Sequence, residues 1–410
     1  MKATFLLALS VFAMSRRAPA DTILPAGFQE SVVFSGLMQP TAVRFARDGR
    51  IFVAEKRGIV KVFNNLNDPT PTIFADLRTQ VFNFWDRGLL GLALHPDFPD
   101  TPYVYVFYAL DAPVGGTPPL WGKPGEDSDS CPNPPGATTN GCLASGRISR
   151  LEASGNVMTG PEHVLVDGWC QQYPSHSVGT LAFGPDGALY ASGGEGAHFL
   201  VSDYGQLGSP VNPCGDPPAG VGGAQTVPTA RGGALRAQSL RRPPNEPALF
   251  SGAVIRIDPL TGNALPDSPL FGNPQPNADR LIAYGMRNPY RMTFRPGTRE
   301  LWIGDVGEGF WEELNRVPDT LDNVIENFGW PCYEGPAPHI GYSDLQLEMC
   351  NSLFSSPGAA TYAHFAYRHL QPLFPGDQCN TDNASISGLA FYSGGNYPGV
   401  YGNALFIADY

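Results

Sequence analysis

The chain reads as an all-β protein built as a β-propeller, on three observations. Composition is the first: 48 glycines and 41 prolines, with only 16% charged residues, favour turns over long helices, and a 42% apolar fraction still fills a sizeable core. The second is a hairpin motif that recurs along the chain: an apolar strand, a turn of Pro, Asp and Gly, then another strand. The third is a glycine-led, alternating strand that follows several of these hairpins and returns the chain on their outer side. Such units, too many for one flat sheet and spaced by tens of residues, stack around an axis. A β-sandwich is the alternative, but its strands carry no two-part repeat.

Taken in order, residues 1–20 carry Lys2, an apolar run from Ala3 to Met14 and an Ala18-x-Ala20 end, the three parts of a secretory signal, although Arg16 and Arg17 sit unusually before the cut. Export is therefore expected, to the periplasm or the exterior. The run is too short to span a bilayer and nothing later replaces it, so no transmembrane segment is expected. Residues 21–410 are expected to form one propeller domain. Its hairpins start at Pro40 (PTAVRFARDGRIFVAE), Leu90 (LGLALHPDFPDTPYVYVFY), Thr180 (TLAFGPDGALYAS), Arg291 (RMTFRPGTRELWIGD) and Ser387 (SGLAFYSGGNYPGVYGNALFIAD). The outer strands start at Gly58, Gly146 and Gly252. No such strand follows the last hairpin, so the final blade is expected to be incomplete at the C-terminus and the chain to be part of a longer protein.

Insertions near 111–145, 201–249 and 335–383 are rich in Pro, Gly, Ser and Asn and hold most of the seven cysteines. Long loops of this kind carry function or serve as braced surface excursions, and here they are expected to build the rim of a binding face. In an exported chain the cysteines read as disulfides: Cys131 with Cys142 and Cys332 with Cys350 as nearest neighbours, Cys170 with Cys214 as a looser pairing, Cys379 left over. Spacing alone does not fix that connectivity. A net charge of −12 argues against an anionic membrane as partner and excludes nucleic acid.

Singly, the chemical candidates are ambiguous. His176, before the Thr180 hairpin, reads by itself as more often structural than catalytic, and His95, in the LHPDF turn, as a structural hydrogen-bonding group. Asp86 and Arg87 read as a surface ion pair, and Arg287 and Asn288 as donors to loop carbonyls. Asp305, Glu308, Glu312 and Glu313 suggest a metal, but without the spacing of an EF-hand loop. A phosphate-cradling glycine loop, HExxH, CxxC and G-x-S-x-G are all missing, so nucleotide and serine-hydrolase chemistry lack their marks.

Six strings taken together are similar to the glucose/sorbosone dehydrogenase family: DRGLLGLALHPDF from Asp86, HSVGTLAFGPDGALY from His176, GMRNPYRMTF from Gly285, GDVGEGFWEELN from Gly304, NFGWPCYEG from Asn327 and SISGLAFYSGG from Ser385. The resemblance implies a six-bladed β-propeller and an exported, pyrroloquinoline quinone (PQQ)-dependent dehydrogenase. Its substrate would be an aldose or related alcohol, and its electrons would pass to an external acceptor. It implies His176 as the base on the anomeric hydroxyl, Arg287 beside the quinone carbonyl, Asn288 as a further cofactor contact, and the main-chain carbonyls of Gly307 and Glu308 as calcium ligands. Asp86, the implied partner oriented towards the histidine, stands where well-characterised members have glutamine, and Glu308 where they have proline. A lysine and two arginines that clamp the quinone carboxylates would align beyond Tyr410. The family's hedgehog-interacting members supply the alternative, a non-catalytic propeller that binds a carbohydrate or protein.

Overall fold

The computed structural model describes residues 24, 27–127, 130–134, 136–214, 225–244, 246–375 and 384–410. The expected export segment 1–20 and Cys379 lie outside the described residues.

Four antiparallel sheets of four strands follow one another. The first is β1 (Pro40–Phe45), β2 (Ile51–Glu55), β3 (Ile59–Phe63) and β4 (Thr72–Asp76). The second is β5 (Leu89–Leu94), β6 (Tyr103–Leu110), β7 (Ala144–Ser154) and β8 (Val157–Gln171). The third is β9 (Val178–Phe183), β10 (Leu189–Gly193), β11 (Ala253–Ile257) and β12 (Leu281–Tyr284). The fourth begins with β13 (Pro289–Phe294), β14 (Leu301–Asp305) and β15 (Trp311–Val317). The chain then makes three two-residue strands: β16 (Glu326–Asn327), which adds in parallel to β12, and β17 (Tyr333–Glu334) with β18 (Ala337–Pro338), which pair with each other. The fourth sheet closes with β19 (Phe365–Arg368) beside β15. A hairpin of β20 (Ile386–Phe391) and β21 (Leu405–Asp409) begins a fifth sheet. Each first strand packs on the next, β1 on β5, β5 on β9, β9 on β13 and β13 on β20, which is the succession of inner strands around a propeller axis.

The fold is thus the all-β propeller that the repeats predict. Where six blades were expected, the described residues make four complete blades and a two-stranded fifth. Each expected hairpin is the inner pair of a blade, and Gly58, Gly146 and Gly252 each lie at or beside the start of a third strand.

Strand β6 shows why these sequences stack. Its YVYVFYAL run is apolar on both faces and almost wholly buried. Val104, Val106 and Tyr108 point to the core shared with the first blade, around Phe52, Val60 and Leu92. Tyr105 and Phe107 point to the core shared with the third, around Trp169, Leu181 and Ile255. The period of two delivers alternate residues to opposite interfaces, and a strand buried on both sides needs no polar positions.

Across the axis, inner strands are tied by side chains donating to main-chain carbonyls. Thr41 Oγ1 reaches Leu89 O at 2.6 Å, Thr180 Oγ1 reaches Tyr290 O at 3.1 Å, Arg291 Nη2 reaches Thr41 O at 2.9 Å and Arg44 Nη2 reaches Leu181 O at 3.2 Å. Cys131 with Cys142, Cys170 with Cys214 and Cys332 with Cys350 are paired as expected. The second and third insertions pack on each other: Leu235 shares a core with Trp330, Tyr342, Leu347 and the Cys332–Cys350 bridge. That joint cap carries Trp330 to the end of β10.

Candidate active site

His176 precedes β9 and adopts a left-handed backbone conformation, φ 51°, uncommon for a residue with a side chain. Two hydrogen bonds hold this corner: Gly196 N donates to His176 O at 3.1 Å and Gly194 N to Ser177 O at 2.7 Å. The corner works only because the strand beside it is glycine. A Cβ on Gly194 would lie 2.3 Å from His176 O, and one on Gly193 would lie 2.5 Å from the Trp169 ring. The turned-in ring is 3% exposed, and its Nδ1 is hydrogen-bonded to Glu195 Oε1. Glu195 is buried and doubly fixed: Trp330 Nε1 donates to its Oε2 at 2.6 Å, and its own N–H donates to Arg287 O at 3.0 Å. A carboxylate on Nδ1 selects the tautomer with the proton there, leaving Nε2 as the basic nitrogen.

His176 lines a cavity of about 870 Å³ together with Arg287, Asn288, Gly307, Glu308, Asp86 and Lys56. Five of the six sequence candidates thus join His176 at one face. Arg287 and Asn288 lie between β12 and β13, where their N–H groups donate to Asp305 at 3.1 and 2.6 Å. Burial and the charge of Glu313 push the Asp305 carboxyl well above the usual range despite those bonds. The Arg287 guanidinium donates to Gly307 O at 2.6 Å and to Val306 O at 3.2 Å, and sits 5.5 Å from the Trp330 ring centroid. Its Nε and the Asn288 Oδ1 are buried without a hydrogen-bond partner among the described residues.

Asp86 is not the histidine's partner. It is exposed and accepts from Ser175 Oγ at 2.5 Å, one residue from His176, because the inward turn at His176 aims Nδ1 at Glu195 instead. Nor do Asp86 and Arg87 form a surface ion pair. Arg87 is fully buried and donates to the carbonyls of Cys142, Gln171 and Tyr173, the last two at 2.8 Å. His95 is structural: its Nδ1 accepts from Asp97 N at 3.1 Å.

Glu308 belongs to a loop wrapped around another carboxylate. The N–H groups of Glu308, Gly309, Phe310 and Trp311 all point at Glu334 Oε1, at 2.8, 3.1, 3.2 and 3.4 Å. The Glu308 carboxylate itself meets His339 Nε2 at 2.5 Å. Burial opposes its charge, but the His339 bond and the field of Arg287 keep its carboxyl below the usual range. Glu312 accepts from Gly307 N at 3.2 Å, Ile386 N at 2.8 Å and His369 at 2.8 Å, and Glu313 accepts from Gly335 N at 2.6 Å. These acids brace loops, and the described residues hold no group of three His, Cys, Asp or Glu placed to bind a metal.

Sequence reasoning missed Glu195 and Trp330. Glu195 lies in SGGEG, which reads as a turn, and Trp330 reaches it from 135 residues away. The one local signal was an acid isolated among glycines at the end of a strand.

A propeller whose axial cavity is faced by a carboxylate-held histidine, an arginine and an asparagine offers a candidate small-molecule site. The family profile described as Glucose / Sorbosone dehydrogenase matches residues 37–207 and 234–408, and the chain belongs to that family. Among curated relatives it is 26% identical to the HIPL2 protein of Arabidopsis thaliana, over 84% of this chain and 45% of that protein. It is 24% identical to quinoprotein glucose dehydrogenase B of Acinetobacter calcoaceticus, over 84% of this chain and 61% of that one. The chain thus spans between about half and three fifths of these relatives. Among solved structures, the PQQ-bound aldose sugar dehydrogenase of Streptomyces coelicolor superposes with a TM-score of 0.53 at 19% identity, over 88% of this chain and 74% of that one, a likeness of fold.

Proposed function

We propose that the chain is a PQQ-dependent dehydrogenase of an aldose or related sugar alcohol, acting outside the cytoplasm and passing electrons to an external acceptor. The observation that carries this is the Glu195-held His176 sharing one cavity with Arg287 and Asn288, whose Nε and Oδ1 lack partners among the described residues. Those orphaned polar atoms, in a cavity of about 870 Å³, fit a flat, polar, multi-ring quinone. When bound, the quinone supplies the hydride acceptor.

The chain's own residues do the rest. Nε2 of His176 takes the proton from the hydroxyl on the carbon that gives up hydride, and Glu195 stabilises the imidazolium that forms. Arg287 sets a fixed cation where negative charge develops, in a buried setting that strengthens its effect. Lys56 adds a second positive charge to the wall, lowered in basicity by burial and partly restored by Asp86.

Calcium fits less well. Gly307 O already carries the Arg287 guanidinium, and a dication on the same oxygen would sit within a few ångströms of that charge. Calcium would reach this carbonyl only with Arg287 released from Gly307. A sixfold ring is the form of propeller we propose. Three disulfides support the oxidising compartment. No helix among the described residues is long and apolar enough to cross a membrane.

The test is dye reduction by the PQQ-loaded protein across a panel of aldoses, with His176→Ala as control. Turnover that vanishes in the variant while PQQ stays bound is the expected result. Sugar or protein binding by PQQ-loaded protein without any turnover would replace this reading with the non-catalytic one.

A further inference from the structure

Trp85 is a bulky residue in a left-handed conformation, φ 53°, 47% exposed as a residue and lining the cavity. A bulky residue keeps such a conformation only where its surroundings enforce it. Here they do, on both sides of the residue. Phe84 lies 6.1 Å from the indole and stacks at 5.7 Å on Phe82, which packs at 4.8 Å against Trp121 of the first insertion. On the other side the buried Arg87 is bonded to three carbonyls, one of them that of Cys142 in the same insertion. The first insertion therefore braces the segment that presents Trp85.

The indole does not stand alone. Phe199 lies 5.4 Å from it and 6.5 Å from the His176 ring, so the three rings step outward from the candidate base. Phe199 is stacked on His198 at 5.6 Å, and His198 is tied to Thr138 O, again in the first insertion, at 3.1 Å. Beside this aromatic step sit the Asp86 carboxylate and the Ser175 hydroxyl, both lining the same cavity. A half-exposed aromatic face next to a carboxylate and a hydroxyl matches a pyranose, which offers a C–H face and a hydroxyl edge. Phe199 occupies the step nearest the histidine, and Trp85 stands one ring further out.

We infer that Trp85, with Asp86 at its edge, forms a subsite for the second sugar ring of an oligosaccharide whose terminal ring faces His176. The inference rests on the sugar-oxidising reading above and extends it from a single ring to a glycosidically linked pair.

The test separates the two. Methyl α-maltoside and methyl β-cellobioside have two rings and no free anomeric hydroxyl, so they bind without being oxidised. Calorimetric titration of cofactor-free protein should show Trp85→Ala weakening the tighter of these by about tenfold, the scale of one aromatic contact. Methyl α-glucoside binding should change by less than about threefold, and Trp85→Phe should recover most of the loss. Equal losses for one-ring and two-ring glycosides, an unchanged two-ring affinity, or no two-ring binding by the unaltered protein would overturn the subsite. Failure of the dehydrogenase reading would appear elsewhere, as absence of dye reduction in PQQ-loaded protein with these titrations unaffected.

Discussion

Replacing Glu195 with glutamine keeps the size of the side chain and removes one acceptor. Glu195 serves two partners at once, His176 Nδ1 through one oxygen and Trp330 Nε1 at 2.6 Å through the other. Glutamine has a single carbonyl oxygen, so one partner must face its NH₂. If the oxygen stays on Nδ1, the amide and the indole meet donor to donor, and a buried N–H goes unpaired at about 1–3 kcal/mol. If the oxygen turns to Trp330, the amide donates to Nδ1 and drives the ring proton onto Nε2, the atom that must act as base. The second arrangement satisfies every buried group and disables the histidine. A positioned general base contributes about 10²- to 10⁴-fold, so kcat for Glu195→Gln should fall by about 10²- to 10³-fold. The assay is single-turnover reduction of bound PQQ by an aldose, followed optically from pH 5 to 9. The rate should stay depressed across that range in the variant, while PQQ affinity holds. Glu195→Asp, which keeps both acceptors on a shorter arm, should retain more activity than the glutamine variant. A glutamine variant with the parental rate and pH profile would refute the role assigned to Glu195.

Gly194→Ala should cut kcat/KM at least about tenfold, because its Cβ would lie 2.3 Å from His176 O and displace the corner; dye reduction beside a melting curve checks it. Burial, against hydrogen bonds from Gly335 and Asn315, lifts the Glu313 carboxyl from 4.5 to about 7. The folded state therefore holds this proton more tightly than the unfolded chain, and its contribution to stability is full below about pH 4.5 and lost as pH rises through 7. Glu313→Gln should flatten the melting-temperature profile between pH 5 and 8 relative to the parent, and an identical slope would contradict this assignment. Opening the Cys170–Cys214 bridge with serines, across 44 residues, should lower unfolding free energy by about 4 kcal/mol in a denaturant titration. Millimolar calcium should leave the melting temperature of PQQ-free protein unchanged but raise that of Arg287→Ala, whose Gly307 carbonyl is released, as a thermal shift assay would show.

The propeller was legible because its signals are local. Hairpin turns, strand alternation and the two-faced burial of β6 each fit within a few tens of residues. The candidate site was legible where motifs carried it: His176, Arg287, Asn288, Gly307 and Glu308 do converge on one cavity. What was hidden depends on segments far apart in sequence. Asp86, next to a buried arginine, looked like a partner for the histidine, yet the turn at His176 hands Nδ1 to Glu195. Trp330 could not be read as that acid's anchor, since its position depends on two insertions packing together. The parallel strand β16 escaped notice because two residues leave no periodicity to read.

Glu334 gives the loop at Gly307 and Glu308 an internal template. Four successive main-chain donors close on one oxygen of a residue more than twenty positions away, so the loop's shape is encoded in two separate pieces of the gene. The GDVGEG stretch is therefore not portable: grafted onto another propeller without an acid at the matching height, it would carry the right letters and no fixed conformation. Recombination between family members is safest where its crossovers keep residues 307–311 and Glu334 on the same parental fragment.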